Sequence, residues 1–131
     1  MKYLLDTDTC IYVINERPAR VIAQFRKHPV GDIGVSSITA AELAFGVTKS
    51  GSVRNREALA AFLLPLDVAP FDAQAAVAYG QVRADLERRG SPIGPLDLLI
   101  AAHGLLLGAT LVTNNLREFK RVSGLRCESW V

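Results

Sequence analysis

Short apolar segments alternate with longer helical patterns along the whole sequence, and this alternation restricts the possible fold more than any other feature. Strands of this kind, separated by helices, are typical of a mostly parallel sheet that helices cover on both faces. The sequence therefore predicts an α/β domain. Five segments have the length and apolar content of buried strands, at residues 2–5, 32–36, 66–69, 110–112 and 125–128.

Capping residues mark the ends of the helical segments between these strands. Ser, Thr and Asp favour the N-cap, proline favours the first turn, and glycine favours the end of a helix. Ser37 or Thr39 is predicted to cap the third helix, and Asp72 the fifth. The predicted helices cover 9–15, 17–28, about 40–50, 53–63, 73–90, 96–107 and a short segment that contains Glu118.

Length and composition fit one ordinary domain. The chain has 131 residues, half of them hydrophobic, and no internal repeat or low-complexity tract, so we treat 1–131 as a single domain. The longest apolar run is broken by His103 and by glycines, and it is too short to span a bilayer. Cys10 and Cys127 form no zinc or disulfide motif and are expected to be reduced thiols. We expect a cytoplasmic protein that does not enter membranes.

Three acidic residues stand in apolar surroundings where a charge is costly. Asp6 follows Tyr-Leu-Leu, Glu42 lies in ITAAELAFG, and Asp97 lies in IGPLDLLIAA. No basic residue lies within four positions of Glu42 or Asp97. An ionised carboxylate in such surroundings needs a compensating cation or hydrogen bonds. Each acid also has a plain structural explanation, as a helix cap, as a partner of a helix dipole, or as part of a polar stripe facing water.

In a parallel sheet, the three acids could belong to a single ligand site. Ligands bind to such sheets at the carboxyl ends of the strands, and Asp6 ends the first strand. Acids that converge there repel one another unless a divalent cation binds between them. A set of oxygen ligands without His or Cys favours Mg²⁺ or Mn²⁺, and such an ion can assist the hydrolysis of a phosphate ester.

Four motifs follow one another across nearly the whole chain, namely LLDTDTCIY, ITAAELAFG, IGPLDLLIAAHG and LVTNNLREF. In this order they resemble the PIN-domain ribonucleases that act as VapC toxins of type II toxin–antitoxin pairs. The resemblance implies a three-layer α/β/α fold around a central, mostly parallel sheet of four to five strands. It also implies an endoribonuclease that depends on Mg²⁺ or Mn²⁺.

The resemblance assigns roles to individual residues. Asp6, Glu42 and Asp97 match the family's metal-binding catalytic acids, and Glu118 matches a fourth, more variable catalytic acid. Thr113 and Asn115 match a polar TxN element that braces the first aspartate, and we expect the hydroxyl of Thr7 to support the same loop.

The family also implies partners. Its members cut single-stranded or looped RNA, including tRNA, and an antitoxin inserts a segment near the active site. The high apolar content of this chain is consistent with a homodimer and with an amphipathic partner segment. Three basic residues beside Glu118 are the best candidates for contacts with RNA phosphates, namely Arg117, Lys120 and Arg121.

Asp8 departs from the family pattern, which usually has Asn at this position. We expect Asp8 to cap the following helix as Asn would, with a place in the outer shell of a metal as the alternative. Asp6 and Asp8 together also resemble the DxDx[TV] motif of haloacid-dehalogenase-like phosphohydrolases, although the required downstream Lys is poorly placed. A non-catalytic receiver-like domain is the other alternative, but no aspartate ends the third predicted strand.

The formal net charge of +2 hides an uneven distribution. If Asp6, Asp8, Glu42, Asp97 and Glu118 gather in one pocket, removing their negative charges leaves +7 on the remaining residues. An acidic centre inside a basic surround is the arrangement expected of a metal-dependent nuclease.

Overall fold

All five predicted strands pair in one fully parallel sheet. The computed structural model describes residues 1–131. The spatial order of the strands is β3-β2-β1-β4-β5, so the first strand lies in the centre. The strands are β1 (Tyr3–Leu5), β2 (Ile33–Ser36), β3 (Asp67–Ala69), β4 (Thr110–Val112) and β5 (Cys127–Glu128).

Seven helices connect and cover the strands. A 3-10 turn at Val30–Asp32, which the sequence did not predict, precedes β2. None of the helices is both long enough and apolar enough to cross a membrane. The helices are α1 (Thr7–Ile14), α2 (Ala19–Lys27), α3 (Ser37–Ser50), α4 (Val53–Leu63), α5 (Ala73–Arg88), α6 (Pro95–Leu107) and α7 (Leu116–Phe119).

Two separate cores, one on each face of the sheet, confirm the predicted three-layer α/β/α fold. Leu4 and Leu111 pack with residues of α5, α6 and α7 on one face. Leu5 and Val112, the next residue along each strand, pack with α1, α2, α3 and α4 on the other. All four side chains are fully buried. Consecutive leucines are required here because successive side chains of a strand point to opposite faces.

Local signals predicted some helix starts and missed others. Asp72 caps α5 as predicted, and its Oδ1 accepts a hydrogen bond from the Ala75 N–H at 3.0 Å. The predicted caps of α3, Ser37 and Thr39, are wrong, because Ser36 at the end of β2 accepts the capping bond instead. Pro18 lies just before α2 as its N-cap rather than inside its first turn.

The backbone of β2 runs too close to its neighbours to accept a side chain at Gly34. A Cβ built at Gly34 would lie 2.6 Å from the carbonyl oxygen of Asp67 on β3 and 2.6 Å from Cε of Met1. Real Cβ atoms do not approach backbone oxygen this closely, so the strand itself would have to move.

We expect Gly34→Ala to lower the free energy of unfolding by about 1–3 kcal/mol, the usual cost of overpacking a core. Gly80→Ala is the matched control, because Gly80 lies within α5 with nothing near the position of its Cβ. This control should stabilise the protein by about 0.5–1 kcal/mol, since alanine favours the helix. Urea unfolding followed by circular dichroism measures both changes, and equal effects of the same sign would contradict the packing argument.

Candidate active site

The candidate site lies at the carboxyl edge of the sheet, where the two central strands end. β1 pairs with β4, and Leu5 is in register with Val112. Asp6 and Thr113 follow these two residues and so leave the sheet side by side. The backbone N–H of Asp6 continues the ladder by donating to the carbonyl of Val112 at 3.0 Å. The topology therefore places Asp6 where parallel sheets bind their ligands.

Asp6 is the most buried of the candidate acids, with 6% of its surface exposed. It caps α1, and its Oδ1 accepts a hydrogen bond from the Thr9 N–H at 2.9 Å. Burial raises the pKa of its carboxyl, while hydrogen bonds with Thr113 and Thr9 lower that pKa. Neutral donors thus hold Asp6 in place, with no cation from the protein beside it.

Glu42 reaches the site from α3 and is held by a threonine. The hydroxyl of Thr7 donates to Oε1 of Glu42 at 2.7 Å. Thr7 is the first residue of α1, directly after Asp6, so this bond ties the end of β1 to α3. The sequence predicted a supporting role for the Thr7 hydroxyl, and the structure identifies Glu42 as the group that it contacts.

Asp97 and Glu118 approach each other over a glycine. Asp97 lies in the first turn of α6 and Glu118 in α7. A Cβ built at Gly94 would lie 3.5 Å from Oδ2 of Asp97 and 3.5 Å from Oε1 of Glu118. The Gly94 N–H donates to Oε1 of Glu118 at 2.6 Å, and the side-chain amide of Asn115 donates to Oε2. Both oxygens of Glu118 are therefore held by neutral donors.

The four carboxylates are close enough to act on one another. Burial raises the pKa of Asp97 to about 7, together with hydrogen bonding to Glu118 and the negative charges of Glu118, Asp6 and Glu42. None of the four acids forms an ion pair with Lys, Arg or His. The site is thus a set of like charges that the protein's own cations leave uncompensated.

The chemistry of the four side chains favours a metal ion, whereas their spacing does not form a closed metal site. All four side chains offer hard oxygen donors, and their mutual repulsion favours a divalent cation. The side chains are nevertheless spread out, because no group of three or more His, Cys, Asp or Glu residues is placed to hold a metal ion. The residues fit a hard cation by charge and donor type, without forming a closed ligand shell.

The TxN element is divided between two acids, which corrects one prediction. Thr113 lies close enough to Asp6 for its hydroxyl to lower the pKa of that carboxyl. Asn115 instead contacts Glu118, three residues further along the chain, and its backbone N–H donates to Oγ1 of Thr113 at 2.9 Å. A contact at this spacing across one helical turn was available from the sequence, but the motif directed attention to the first aspartate.

Asp8 does not cap a helix, contrary to the prediction. Asp6 occupies the N-cap, so α1 begins at Thr7, two residues before the predicted start. Asp8 lies exposed in the first turn, where a negative charge favours the positive end of the helix dipole. The phosphohydrolase alternative loses its support here, because Asp6 is buried and Asp8 faces solvent.

The three predicted phosphate contacts are in different situations. Arg117 and Lys120 are exposed and form no ion pair. Arg121 is partly buried, and its Nη1 donates to the carbonyl of Pro92 at 2.8 Å. Neither the Pro92 contact nor the bond from the Gly94 N–H to Glu118 could be predicted from the sequence, because each joins segments more than twenty residues apart.

His103 is a core residue. It is 1% exposed, its Nδ1 lies 2.8 Å from Oγ of Ser36, and its ring meets the ring of Phe71 edge-on. Burial lowers its pKa, which keeps the imidazole neutral. The receiver-like alternative also fails, because β3 ends at Ala69 and the following acid, Asp72, caps a helix.

An apolar groove of about 230 Å³ adjoins the acidic edge. It runs between α1, α3 and α4, and Thr7 and Glu42 form its end nearest the acids. Asn15, Gly46 and Asn55 add small or polar groups. Five aliphatic side chains line it, namely Ile11, Ile14, Leu43, Val47 and Leu59.

Comparison with known proteins agrees with this geometry. The profile of the PIN domain matches residues 3–125. The tRNA(fMet)-specific endonuclease VapC of Salmonella typhimurium is 43% identical over 131 residues, which span 99% of this chain and 98% of that protein. Ribonuclease VapC2 of Haemophilus influenzae is 43% identical over 132 residues, which span 100% and 99%.

Solved structures show the same fold in similar proteins. The chain in the DNA-bound VapBC structure from Salmonella typhimurium superposes with a TM-score of 0.92 at 42% identity, covering 100% of this chain and 99% of that one. The chain in the Rickettsia felis VapBC2 structure, bound to a promoter DNA fragment, gives a TM-score of 0.90 at 41% identity and covers 100% of both chains. This chain therefore belongs to the PIN-domain family and, within it, to the VapC ribonucleases.

Proposed function

We propose that this protein is the toxin of a type II toxin–antitoxin pair and hydrolyses phosphodiester bonds in single-stranded or looped RNA with the help of Mg²⁺ or Mn²⁺. One observation carries the proposal: Asp6, Glu42, Asp97 and Glu118 gather at the carboxyl edge of the sheet without an ion-pair partner. Clustered carboxylates of this kind suit phosphoryl chemistry, because a divalent cation and a phosphate can be held there together.

Asp6, Glu42 and Asp97 are the proposed metal ligands, with Glu118 as a fourth catalytic acid. A bound divalent cation supplies Lewis acidity toward the phosphate and a water of lowered pKa. The protein's own part is to orient these acids. Thr7 fixes Glu42, Gly94 and Asn115 fix Glu118, and the first turn of α6 holds Asp97 beside Glu118.

RNA is the proposed substrate, and tRNA(fMet) is the first molecule to test, because the Salmonella typhimurium relative is named for cutting it. An unpaired loop suits a small site that must reach one phosphate. Arg117 and Lys120 carry exposed positive charge beside Glu118 and are the proposed backbone contacts. A tRNA substrate places the protein in the cytoplasm.

The proposed partners are an antitoxin and a second copy of the chain. VapBC structures of similar sequence contain toxin with antitoxin. The apolar groove beside Glu42 could bind the apolar face of an amphipathic antitoxin segment. Apolar side chains elsewhere remain open to solvent, including Phe45 at 67% exposure and Leu96 at 46%. A homodimer would cover part of this surface.

Asp97→Asn is expected to reduce RNA cleavage by at least about 100-fold, because it removes the charge of a proposed metal ligand while keeping the shape of the side chain. The assay follows cleavage of tRNA(fMet) transcript with Mg²⁺, with Mn²⁺ and with EDTA, and circular dichroism monitors the fold. Full activity of Asp97→Asn, or activity of the native protein in EDTA, would refute the proposed site.

Asp8→Asn is the matched control for that experiment. Asp8, like Asp97, lies in the first turn of a helix, but it is exposed. Its replacement should leave RNA cleavage within about twofold of the native rate. A small phosphomonoester tested in parallel separates the alternatives. Turnover of the phosphomonoester that is lost in Asp8→Asn would favour the phosphohydrolase instead.

The carboxylate cluster predicts an unusual dependence of stability on pH in metal-free protein. The pKa of Asp97 is about 7 in the fold against 3.8 without it, so the folded state binds the proton more tightly. Stability is therefore greatest below about pH 4 for this group and declines as the pH rises toward 7. Thermal unfolding in EDTA should show that Asp97→Asn raises the Tm at pH 8 and weakens this decline. An unchanged pH profile in Asp97→Asn would contradict the repulsion argument.

The groove predicts a variant that separates cleavage from inhibition. Gly46 lines the groove, and nothing lies within 4 Å of the position of its Cβ, so the larger side chain of Gly46→Leu can start into the groove from the unchanged backbone. The probe is an antitoxin, to be sought as a small protein encoded beside this gene. It should inhibit the native enzyme but inhibit Gly46→Leu at least about tenfold less, while RNA cleavage is retained. Equal inhibition of both proteins would place the antitoxin elsewhere.

A further inference from the structure

The segment between α5 and α6 is attached to the C-terminal part of the chain at two points. Glu118 accepts from the Gly94 N–H at 2.6 Å, and Arg121 donates through Nη1 to the carbonyl of Pro92 at 2.8 Å. Glu118 and Arg121 lie three residues apart, and their contacts on the segment lie two residues apart. Two such bonds fix both the position and the direction of the segment relative to α7.

Arg121 is itself held from α5. The guanidinium of Arg89 donates through Nη2 to the carbonyl of Arg121 at 2.5 Å. The same guanidinium binds Oδ2 of Asp85 through Nε at 3.0 Å and Nη2 at 2.8 Å. The bond to Arg89 lowers the pKa of Asp85, which keeps this carboxylate charged. A continuous set of contacts thus runs from α5 through Arg121 to Pro92.

The end of this chain of contacts lies in the acidic site. Gly94, two residues after Pro92, donates to Glu118 and also accepts the first backbone bond of α6 from the Leu98 N–H at 2.8 Å. Asp97 occupies the same first turn of α6. A displacement of Pro92 therefore moves the start of α6 and the donor that orients Glu118.

We propose that Arg121 is a positioning residue, which holds the 91–94 segment so that Glu118 and Asp97 face each other, and is not a contact for RNA phosphates. The proposal rests on the nuclease function proposed above. Residues that orient metal-binding side chains from outside typically change activity or metal affinity by about 10–100-fold when removed. A phosphate contact would instead act on substrate binding and its salt dependence.

Steady-state cleavage of tRNA(fMet) transcript separates the two roles. Arg121→Ala should lower kcat by about 10–100-fold and leave KM within about twofold. Arg121→Lys, which keeps a donor for the Pro92 carbonyl, should recover most of kcat. Arg56→Ala removes an equal charge from an exposed position on α4 that forms no ion pair, and it should change neither constant. A raised KM with unchanged kcat in Arg121→Ala would overturn the proposal.

Hydrogen exchange of the Gly94 amide gives a second readout that needs no RNA. In metal-free protein the bond to Glu118 protects this amide, and Arg121→Ala should accelerate its exchange while Arg56→Ala should not. Unchanged protection in Arg121→Ala would overturn the positioning role even if the native enzyme cuts RNA. If native protein cuts no RNA, the nuclease function fails, and exchange alone decides whether Arg121 holds Gly94.

Arg89→Ala tests the same contacts if Arg121→Ala does not fold. It removes the donor to the Arg121 carbonyl and leaves the Arg121 side chain in place. We expect a smaller change in the same direction, both in kcat and in exchange of the Gly94 amide. No change in either quantity would show that Arg121 does not depend on α5.

Discussion

Repulsion among four carboxylates is the constraint on which the arrangement of this protein depends. No cation of the protein compensates Asp6, Glu42, Asp97 and Glu118, so other interactions must stabilise their positions. The fold does this with neutral donors, since hydroxyl, amide and backbone N–H groups hold three of the acids individually. Asp97 is the exception. Burial and the negative charges of the other three acids strongly raise the pKa of its carboxyl.

Using neutral donors has a chemical benefit. An arginine or lysine beside these acids would stabilise the empty site and compete with a metal ion for their charge. Hydroxyl and amide donors fix direction while leaving the negative charge available. The basic residues are kept outside the acidic edge, where Arg117 and Lys120 remain free for solvent or substrate and Arg121 contacts only a backbone carbonyl.

The sequence predicted the fold well because its strongest signals are local. The consecutive Leu4 and Leu5 indicate a strand that is buried on both faces. Asp72 is a typical N-cap residue and precedes the helix that it caps. The failures came where several candidates stand side by side, as with Ser36, Ser37 and Thr39, since small differences in turn geometry choose among them. The sequence also singled out the four acids that the fold brings to one edge of the sheet, but it did not predict which groups would contact each of them. Thr7 and Glu42 are 35 residues apart, and Arg121 and Pro92 are 29 apart, so their contacts depend on the packed fold.

The three-residue length of β1 links the two cores to the acidic site. Leu4 belongs to one core, Leu5 to the other, and Asp6 stands directly beyond them. A shift of one residue in this strand would exchange the faces of both leucines and draw Asp6 into the sheet. Packing on both faces therefore fixes the register of β1 and, with it, the position of Asp6. A single inserted or deleted residue in this strand would therefore disturb the packing of both cores and the position of Asp6 at once.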